Sequence, residues 1–357
     1  MNISVALATY NGARHLREQL DSLARQTLRP GELVVRDDGS TDDTLAIVED
    51  FARTAPFPVR AQRNAVNLGW GPNFLSAALA CRGEVVAFCD QDDLWQPAKL
   101  ARYAEAFADP DVSQAAHSVL CVTEDLQSLD VRKPDIPAWR VEPVSGTEAV
   151  FTYGKGLGMA VRRSVLTRLE AIWPTQRWIE QWRVHGAVFG HDVLVFAVAS
   201  DLGKTALIPD ALVWWRCHET NATARLDYIR RQRLRGLLGD ARRSFRFGGA
   251  AYARKSAAAA SLAELARGAV AAAQAPMPTV TAVAEFYEQM ARTAAGRAAL
   301  YRAPTVAERL RLFRDLSKAG GYDQDAFGRP ARQIRTRLKD ALVCLLGPPR
   351  PEASTER

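Results

Sequence analysis

The apolar run Val85-Val86-Ala87-Phe88-Cys89 ends abruptly in Asp90-Gln91-Asp92-Asp93. The run reads as a strand that delivers acids at its C-terminal end. Residues two apart on a strand share a face, so Asp90 and Asp92 can converge on one hard cation. A small divalent cation is typically held by one or two carboxylates while water and substrate oxygens complete its shell, which is an arrangement for handling a diphosphate. The other reading of the same residues is a solvated acidic loop ahead of a helix beginning near Pro97, because D-x-D triplets are common.

The residues before this run build a repeating pattern. Ile3 to Ala8 reads as a buried strand emptying into Thr9-Tyr10-Asn11-Gly12, followed by an amphipathic helix from about Ala13 to Gln26. A second strand, Leu33 to Arg36, ends in Asp37-Asp38-Gly39-Ser40-Thr41-Asp42. Ser40 is the candidate N-cap of a helix running to about Ala52, and the acids after it suit the positive helix end. A third strand over Val59 to Gln62, a helix over Pro72 to Cys81 and a fourth strand over Glu84 to Cys89 continue the alternation. The pattern predicts an α/β doubly wound sheet flanked by helices, in which ligands bind beyond the carboxyl ends of the strands.

Ordered motifs carry a family resemblance over about residues 1–221. They are ATYNG at 8–12, DDGSTDDT at 37–44, N-x-x-N-L-G-W-G-x-N at 64–73, DQDDLWQPAKL at 90–100, and the later segments Gly156-Leu157-Gly158-Met159, Gly190-His191-Asp192 and Trp214 to Asn221. Together they resemble family 2 glycosyltransferases of the GT-A fold, and DQDD-x-W-x-P-x-K resembles their bacterial rhamnosyltransferase branch. The resemblance implies a GT-A type mixed sheet, with a nucleotide-sugar half over about 1–110 and an acceptor half over about 111–221. It also implies a Mg²⁺ or Mn²⁺ cofactor, a nucleotide-sugar donor such as dTDP-L-rhamnose, and a saccharide or lipid-linked acceptor in bacterial surface polysaccharide or lipopolysaccharide synthesis. UDP-hexoses and UDP-N-acetylhexosamines are the alternative donors.

Roles follow from the resemblance position by position. Thr9, Asn11 and Asp38 fall on the nucleotide side, with Asp37 as a second contact or a cap, and Asn67 near the diphosphate and sugar. Asp90 falls near the ribose and metal, Asp92 is the direct metal ligand, and Asp93 binds donor hydroxyls or steadies the turn. His218 matches a late position that reaches the metal or diphosphate, although imidazole is not the preferred partner of a hard cation. An inverting transfer through an oxocarbenium-like state needs a base for the attacking hydroxyl. In the family this is the acid of an E-D or H-D pair at a helix start, which places it on Asp192. His191 either shapes the acceptor pocket or caps the helix over Val193 to Ser200. Trp95, Trp214 and Trp215 either pack on sugar faces or belong to the core.

Charge divides the chain at the end of the resemblance. Residues 1–221 hold 22 Lys and Arg against 28 Asp and Glu, net −6, while residues 222–357 hold 25 against 12, net +13. This basic region reads as helical, with segments over Leu226–Phe247, Ala250–Gln274, Val280–Leu300, Thr305–Lys318 and Pro330–Leu346. It suits an anionic membrane surface, or a helical domain with a solvated Arg face that packs or forms a homodimer. Nucleic acid is not an expected partner, since no recognition module accompanies the charge. The five cysteines contain no C-x-x-C pair, and no apolar run reaches about 18 residues. A cytoplasmic enzyme, peripheral at the inner face of the membrane if the tail binds lipid, is the expectation.

Rival functions differ in the residues they need. A sugar-1-phosphate nucleotidyltransferase wants a Gly-rich, Arg-containing loop where this chain has Thr9-Tyr10-Asn11-Gly12. Dinucleotide and P-loop enzymes want glycine motifs that do not occur here. A non-catalytic nucleotide-sugar-binding scaffold keeps the donor motifs and tolerates loss of Asp192. The segment Asp125 to Pro143 is the least regular of the catalytic half and reads as a loop over the acceptor site.

Overall fold

The computed structural model describes residues 1–174, 176–177, 179–180, 190–218, 237–322 and 330–346. Residues 226–236 of the expected basic helix, Glu219 to Asn221 of the last motif, and the side chains of Arg332, Ile334 and Arg335 lie outside that description. The chain divides into two compact units, Met1–Leu226 with Leu265–Val283, and Asp227–Glu264 with Ala284–Arg357. The reading from charge and motifs has a single boundary after residue 221.

The first unit is built on a ten-stranded mixed sheet in the order β3-β2-β1-β4-β9-β6-β10-β5, with β7 beside β6 and β8 beside β10. Its first half is the alternation expected from sequence: β1 Ile3–Thr9, α1 Ala13–Ala24, β2 Glu32–Asp37, α2 Thr44–Thr54, β3 Val59–Arg63, α3 Trp70–Leu79 and β4 Val85–Cys89. Strands β1 to β4 pair in parallel. Every residue of β1 and β4 is buried, as expected for parallel strands covered on both faces. The second half contains β5 Leu94–Trp95, α4 Lys99–Ala106, β6 Val112–Val122, β7 Ser128–Arg132, β8 Arg140–Glu142, α5 Gly146–Tyr153, a 3-10 turn Gly156–Gly158, β9 Met159–Arg162, α6 Arg163–Ile172, α7 His191–Ser200 and β10 Lys204–Arg216. Strand β9 runs antiparallel to both β4 and β6, which sets β6 parallel to β4.

Register sorts the side chains onto two faces. Ala87, Ala160 and Ala115 lie side by side across β4, β9 and β6. They belong to the main core with Leu16, Leu20, Leu100, Tyr103 and Trp95 from the helices and β5. Phe88 faces the opposite way and meets His191 of α7, with ring centroids 4.9 Å apart. The same side of β6 holds α7 through Gln114, which donates to the Phe196 carbonyl.

Two expectations change here. Helix α2 begins after Asp43, and Ser40 is not its cap, because its hydroxyl is bound to the Asp37 carboxylate. The Asp125 to Pro143 segment is not a plain loop: β7 pairs with β6, and β8 pairs with β10.

The second unit draws on helices Leu237–Ala272, Pro278–Arg302, Val306–Lys318 and Pro330–Leu346. The first of these is one continuous helix where the sequence suggested two. Thr305 caps the helix that follows it, accepting from Glu308 N–H at 3.2 Å, and Glu308 sits in the first turn as in a capping box. At the centre of the unit Asp340 is fully buried. It accepts from Arg297 Nε at 3.0 Å, Tyr301 at 2.7 Å and Tyr322 at 2.9 Å. Removing one partner of a buried pair leaves the other charge without compensation, at a cost of about 3–5 kcal/mol. Asp340→Ala is therefore expected to lower unfolding free energy by about that amount in urea titrations. An unchanged midpoint would show that Asp340 does not organise this unit.

Candidate active site

The site is assembled where β1, β2 and β4 end, and each motif arrives by a short hydrogen-bonded route. Asp37, fully buried, accepts from Thr9 Oγ1 at 3.0 Å, from Ser40 N–H at 2.9 Å and from the Ser40 hydroxyl. Gly39 has φ +89°, a conformation open to glycine, and this lets the turn fold back on the carboxylate. Asp37 is thus the cap of its turn. Asn11, at φ +46°, holds the neighbouring loop by accepting from Thr41 N–H at 2.8 Å while its own N–H donates to Ser40 Oγ at 2.9 Å.

Asp38 is buried and accepts from Leu68 N–H at 2.7 Å, Gly69 N–H at 2.8 Å and Asn64 Nδ2 at 2.9 Å. A carboxylate offers about four acceptor positions, so Asp38 has roughly one left for a ligand. Asn67 donates to the Asp38 carbonyl at 2.9 Å. The 64–69 loop is therefore held to the end of β2 by backbone amides.

The DQDD loop is fixed from two sides, by residues that the motif reading did not single out. Gln91 accepts from Tyr10 N–H at 2.9 Å and donates to the Tyr10 carbonyl at 3.0 Å, which zips the loop to the end of β1. A side chain on Gly12 would place its Cβ 2.2 Å from Gln91 Oε1. On the other side Arg216, 3% exposed, reaches under the loop from the end of β10. Its Nε donates to the Asp92 carbonyl at 3.0 Å, its guanidinium to the Glu124 carbonyl at 2.8 Å and to Glu18, and its backbone N–H to Asp93 Oδ1 at 3.1 Å. Asp93 is fully buried, which pushes its carboxyl well above the usual carboxylate range.

With the loop so held, Asp92 Oδ2 stands 2.9 Å from His218 Nε2. Two neighbouring ligands on an octahedral cation at 2.0–2.1 Å are about 2.9 Å apart, so the pair fits a shared ion of the Mg²⁺ class. Among the described residues no group of three His, Cys, Asp or Glu forms a closed metal site. Among the described residues this pair alone would hold the ion, so water and substrate oxygens can enter its shell. His15 of α1 backs this pair, buried with its ring 5.2 Å from that of His218, and burial and Arg216 lower its pKa.

Asp90, at the end of β4, has its pKa raised to about 7 by desolvation, by Asp92 and by Asp192. The field of Asp192 reaches the acidic loop because α7 points its N-terminus at the same edge. Asp192 lies in the first turn of α7, where Oδ1 accepts from Val193 N–H at 3.0 Å and Oδ2 from Gly156 N–H at 3.3 Å. Gly156 is required there, since a Cβ would stand 2.9 Å from His191 Nε2. Lys99 ties this turn to the core. Its buried ammonium donates to the Leu157 carbonyl at 2.7 Å and sits 3.6 Å from the centre of the Trp95 ring, and burial lowers its pKa to about 7. Trp95, 2% exposed, is a core residue, while Trp214 and Trp215 are half-buried.

His191 does not cap α7; Gly190 precedes the first turn. Its ring stacks on Phe74 at 4.3 Å, lies edge-on to Trp70 at 6.4 Å, and makes no hydrogen bond among the described residues. It forms the wall behind Asp192.

Comparison with known proteins bears on the family and the fold. The family model described as glycosyl transferase family 2 matches residues 4–172. An uncharacterized glycosyltransferase of Nostoc sp. is 30% identical over 224 residues, 62% of this chain and 66% of the relative. The abequosyltransferase RfbV of Salmonella typhimurium is 32% identical over 138 residues, 38% of this chain and 40% of its own. The chain thus spans less than two thirds of these relatives' lengths. Among solved structures, S. aureus TarS in complex with UDP-GlcNAc has a TM-score of 0.54 at 19% identity, covering 95% of this chain and 88% of that one. The mannosyltransferase PcManGT of Pyrobaculum calidifontis, in complex with GDP-Man and Mn²⁺, has a TM-score of 0.51 at 20% identity, covering 97% and 87%. The fold is that of the GT-A glycosyltransferases. Residues 4–172 belong to glycosyl transferase family 2.

Burial lowers the His191 pKa from 6.5 to about 4, so the folded protein holds this ring neutral. Between those values the unfolded chain binds a proton that the folded chain refuses, and stability falls as pH drops from about 6.5 toward 4. His191→Phe keeps the stacking and removes this loss, on the order of 3 kcal/mol. Chemical denaturation of both proteins across that range should give a flatter profile for the variant; parallel profiles would contradict the assignment.

Proposed function

We propose that this chain is an inverting, metal-dependent glycosyltransferase that moves a sugar from a nucleotide diphosphate donor, preferentially dTDP-L-rhamnose, to a saccharide or lipid-linked acceptor of bacterial surface polysaccharide or lipopolysaccharide. The observation that carries the reading is the Asp92–His218 pair, 2.9 Å apart, beside Asp90, whose carboxyl feels both Asp92 and Asp192. It supplies a cation position and a separate carboxylate at one sheet edge. The family match and the nucleotide-sugar complexes of the similar structures support the donor class. The rhamnose preference rests on DQDDLWQPAKL.

Each residue has a defined task in this reading. The Asp37 turn, Thr9, Asn11 and the Asp38-held loop carrying Asn67 form the wall for the nucleotide. Asp92 and His218 hold Mg²⁺ or Mn²⁺, which when bound offsets the charge developing on the departing diphosphate. Asp90 lines the ribose and metal side, and Asp93 steadies the loop through Arg216. Asp192 takes the proton from the acceptor hydroxyl as its oxygen bonds to the anomeric carbon. Its tether to Gly156 N–H fixes the carboxylate, and the helix start favours its negative charge. His191 excludes water from behind it. The basic helical region, in the same reading, meets an anionic membrane surface or a second copy of the chain.

Asp192→Asn keeps the size of the side chain and cannot accept the proton. Donor binding should persist while turnover falls by roughly 10²-fold or more, the scale of general-base loss. Near-normal turnover would assign the base to another group. In competition kinetics dTDP-L-rhamnose should be consumed in preference to UDP-glucose and UDP-galactose. Preference for a UDP-hexose would overturn the rhamnose assignment, and nucleotide-sugar binding without transfer would favour the scaffold.

A further inference from the structure

A cavity of about 440 Å³ is lined by Leu120, Ser128, Asp130, Arg132 and Asp135, none of which belongs to the donor motifs. Its position follows from register. Arg132 of β7 pairs with Leu120 of β6, Leu120 with Trp214 of β10, and Trp214 with Leu94 of β5. Side chains paired in this way point to the same face, so the four form one row across four strands. Leu120, Trp214 and Leu94 are all half-buried, whereas their strand neighbours Val119, Val213 and Trp95 are buried in the core on the other face.

The row lies on the catalytic side of the sheet and at the catalytic end. Leu120, Ser118, Ala116 and Gln114 share a face, and Gln114 is where α7 packs, so the row shares its face with the helix that presents Asp192. Ala115 is level with Ala87, which puts Leu120 level with the DQDD loop beyond the end of β4. Leu94 follows Asp92 by two residues. Three strand spacings carry the row roughly 14 Å from Leu94 to Arg132.

Its chemistry is that of a sugar-binding surface. An indole and two leucines provide an apolar floor for the C–H faces of pyranose rings. Arg132, Asp130, Asp135 and Ser128 provide donors and acceptors at one end for hydroxyls. Asp130 stands at φ +51°, an unusual conformation for a residue with a side chain, kept by its N–H donating to Ser128 Oγ at 3.0 Å. The side chains of Arg132 and Asp135 form no hydrogen bond or ion pair among the described residues, so their polar groups are available to a ligand. The cavity is of the size that takes a small ligand.

Resting on the glycosyl-transfer reading, we propose that this row and cavity are the acceptor subsite, binding the saccharide part of the acceptor from the ring next to Asp192 outward to Arg132. The test uses the full chain and a mixture of the methyl glycosides of L-rhamnose, D-galactose, D-glucose, D-mannose and N-acetyl-D-glucosamine, read by saturation-transfer NMR. At least one glycoside should receive saturation from the wild type, and saturating dTDP should not displace it. Arg132→Ala with Asp135→Ala, both exposed and outside the donor motifs, should weaken that binding at least about tenfold, the scale of one hydrogen bond to a charged group. Trp214→Leu, which keeps an apolar floor, should weaken it independently. Unchanged melting temperatures and unchanged thermal shifts with dTDP would show that the fold and the donor side are intact in the variants. Absence of glycoside binding in the wild type, displacement by dTDP, or equal binding by the variants would overturn the subsite. Failure of the wild type to respond to any nucleotide diphosphate would instead overturn the donor reading, so the two failures are distinct.

Discussion

The guanidinium of Arg216 holds the acidic loop in place, and the rest of the site depends on that loop. Two carboxylates and the end of a strand must sit close together at the edge of a sheet, where their mutual repulsion and desolvation favour protonation or displacement. Arg216 answers both. It is buried, it bonds the Asp92 carbonyl and Glu18, and its own N–H meets Asp93. Because it is the last residue of β10, the next two residues carry His218 up to Asp92. One side chain thus sets Asp92 and His218 relative to each other.

A second set of contacts joins the DQDD segment to the start of α7. Lys99 follows the DQDD loop on α4 and bonds the Leu157 carbonyl, and the turn containing Leu157 presents Gly156 N–H to Asp192. The Asp192 carboxylate is therefore positioned, through Leu157 and Gly156, from the same short segment that carries Asp90 and Asp92. This arrangement keeps Asp192 and the acidic loop in a fixed relation, which in the proposed transfer would hold the reacting groups in register. The close approach of His191 to Gly156 makes the same point sterically, since a methyl group at 156 would have to displace the ring.

Much of the first half of the sheet was legible in the sequence because its information is local. Buried strands ending in polar clusters predict β1, β2 and β4 and the edge where they meet, and observed strand limits differ from the expected ones by a residue or so. Ser40 was misread as a helix cap because Asp37, three residues earlier, competes for the same hydroxyl. The Asp125 to Pro143 segment looked irregular because β7 and β8 are short, exposed and paired with strands distant in sequence. Arg216, Gln91 and Lys99 carried no local signal of their roles. Their partners lie 124, 81 and 58 residues away in the chain, so only the assembled sheet reveals them. The core position of Trp95 was among the readings open beforehand, and the pairing of β5 with β10 decided it.

Whether Asp92 and His218 form a cation site completed by a diphosphate is measured directly by Mn²⁺ electron paramagnetic resonance. Titrating Mn²⁺ into the protein with dTDP present should quench the free-ion signal at about one equivalent. Omitting dTDP should weaken that binding, since an ion of this class is typically held by one or two side chains with substrate oxygens and water completing its shell. Asp92→Ala should abolish the dTDP-dependent quenching. Quenching that is indifferent to dTDP, or that survives the loss of Asp92, would contradict the account.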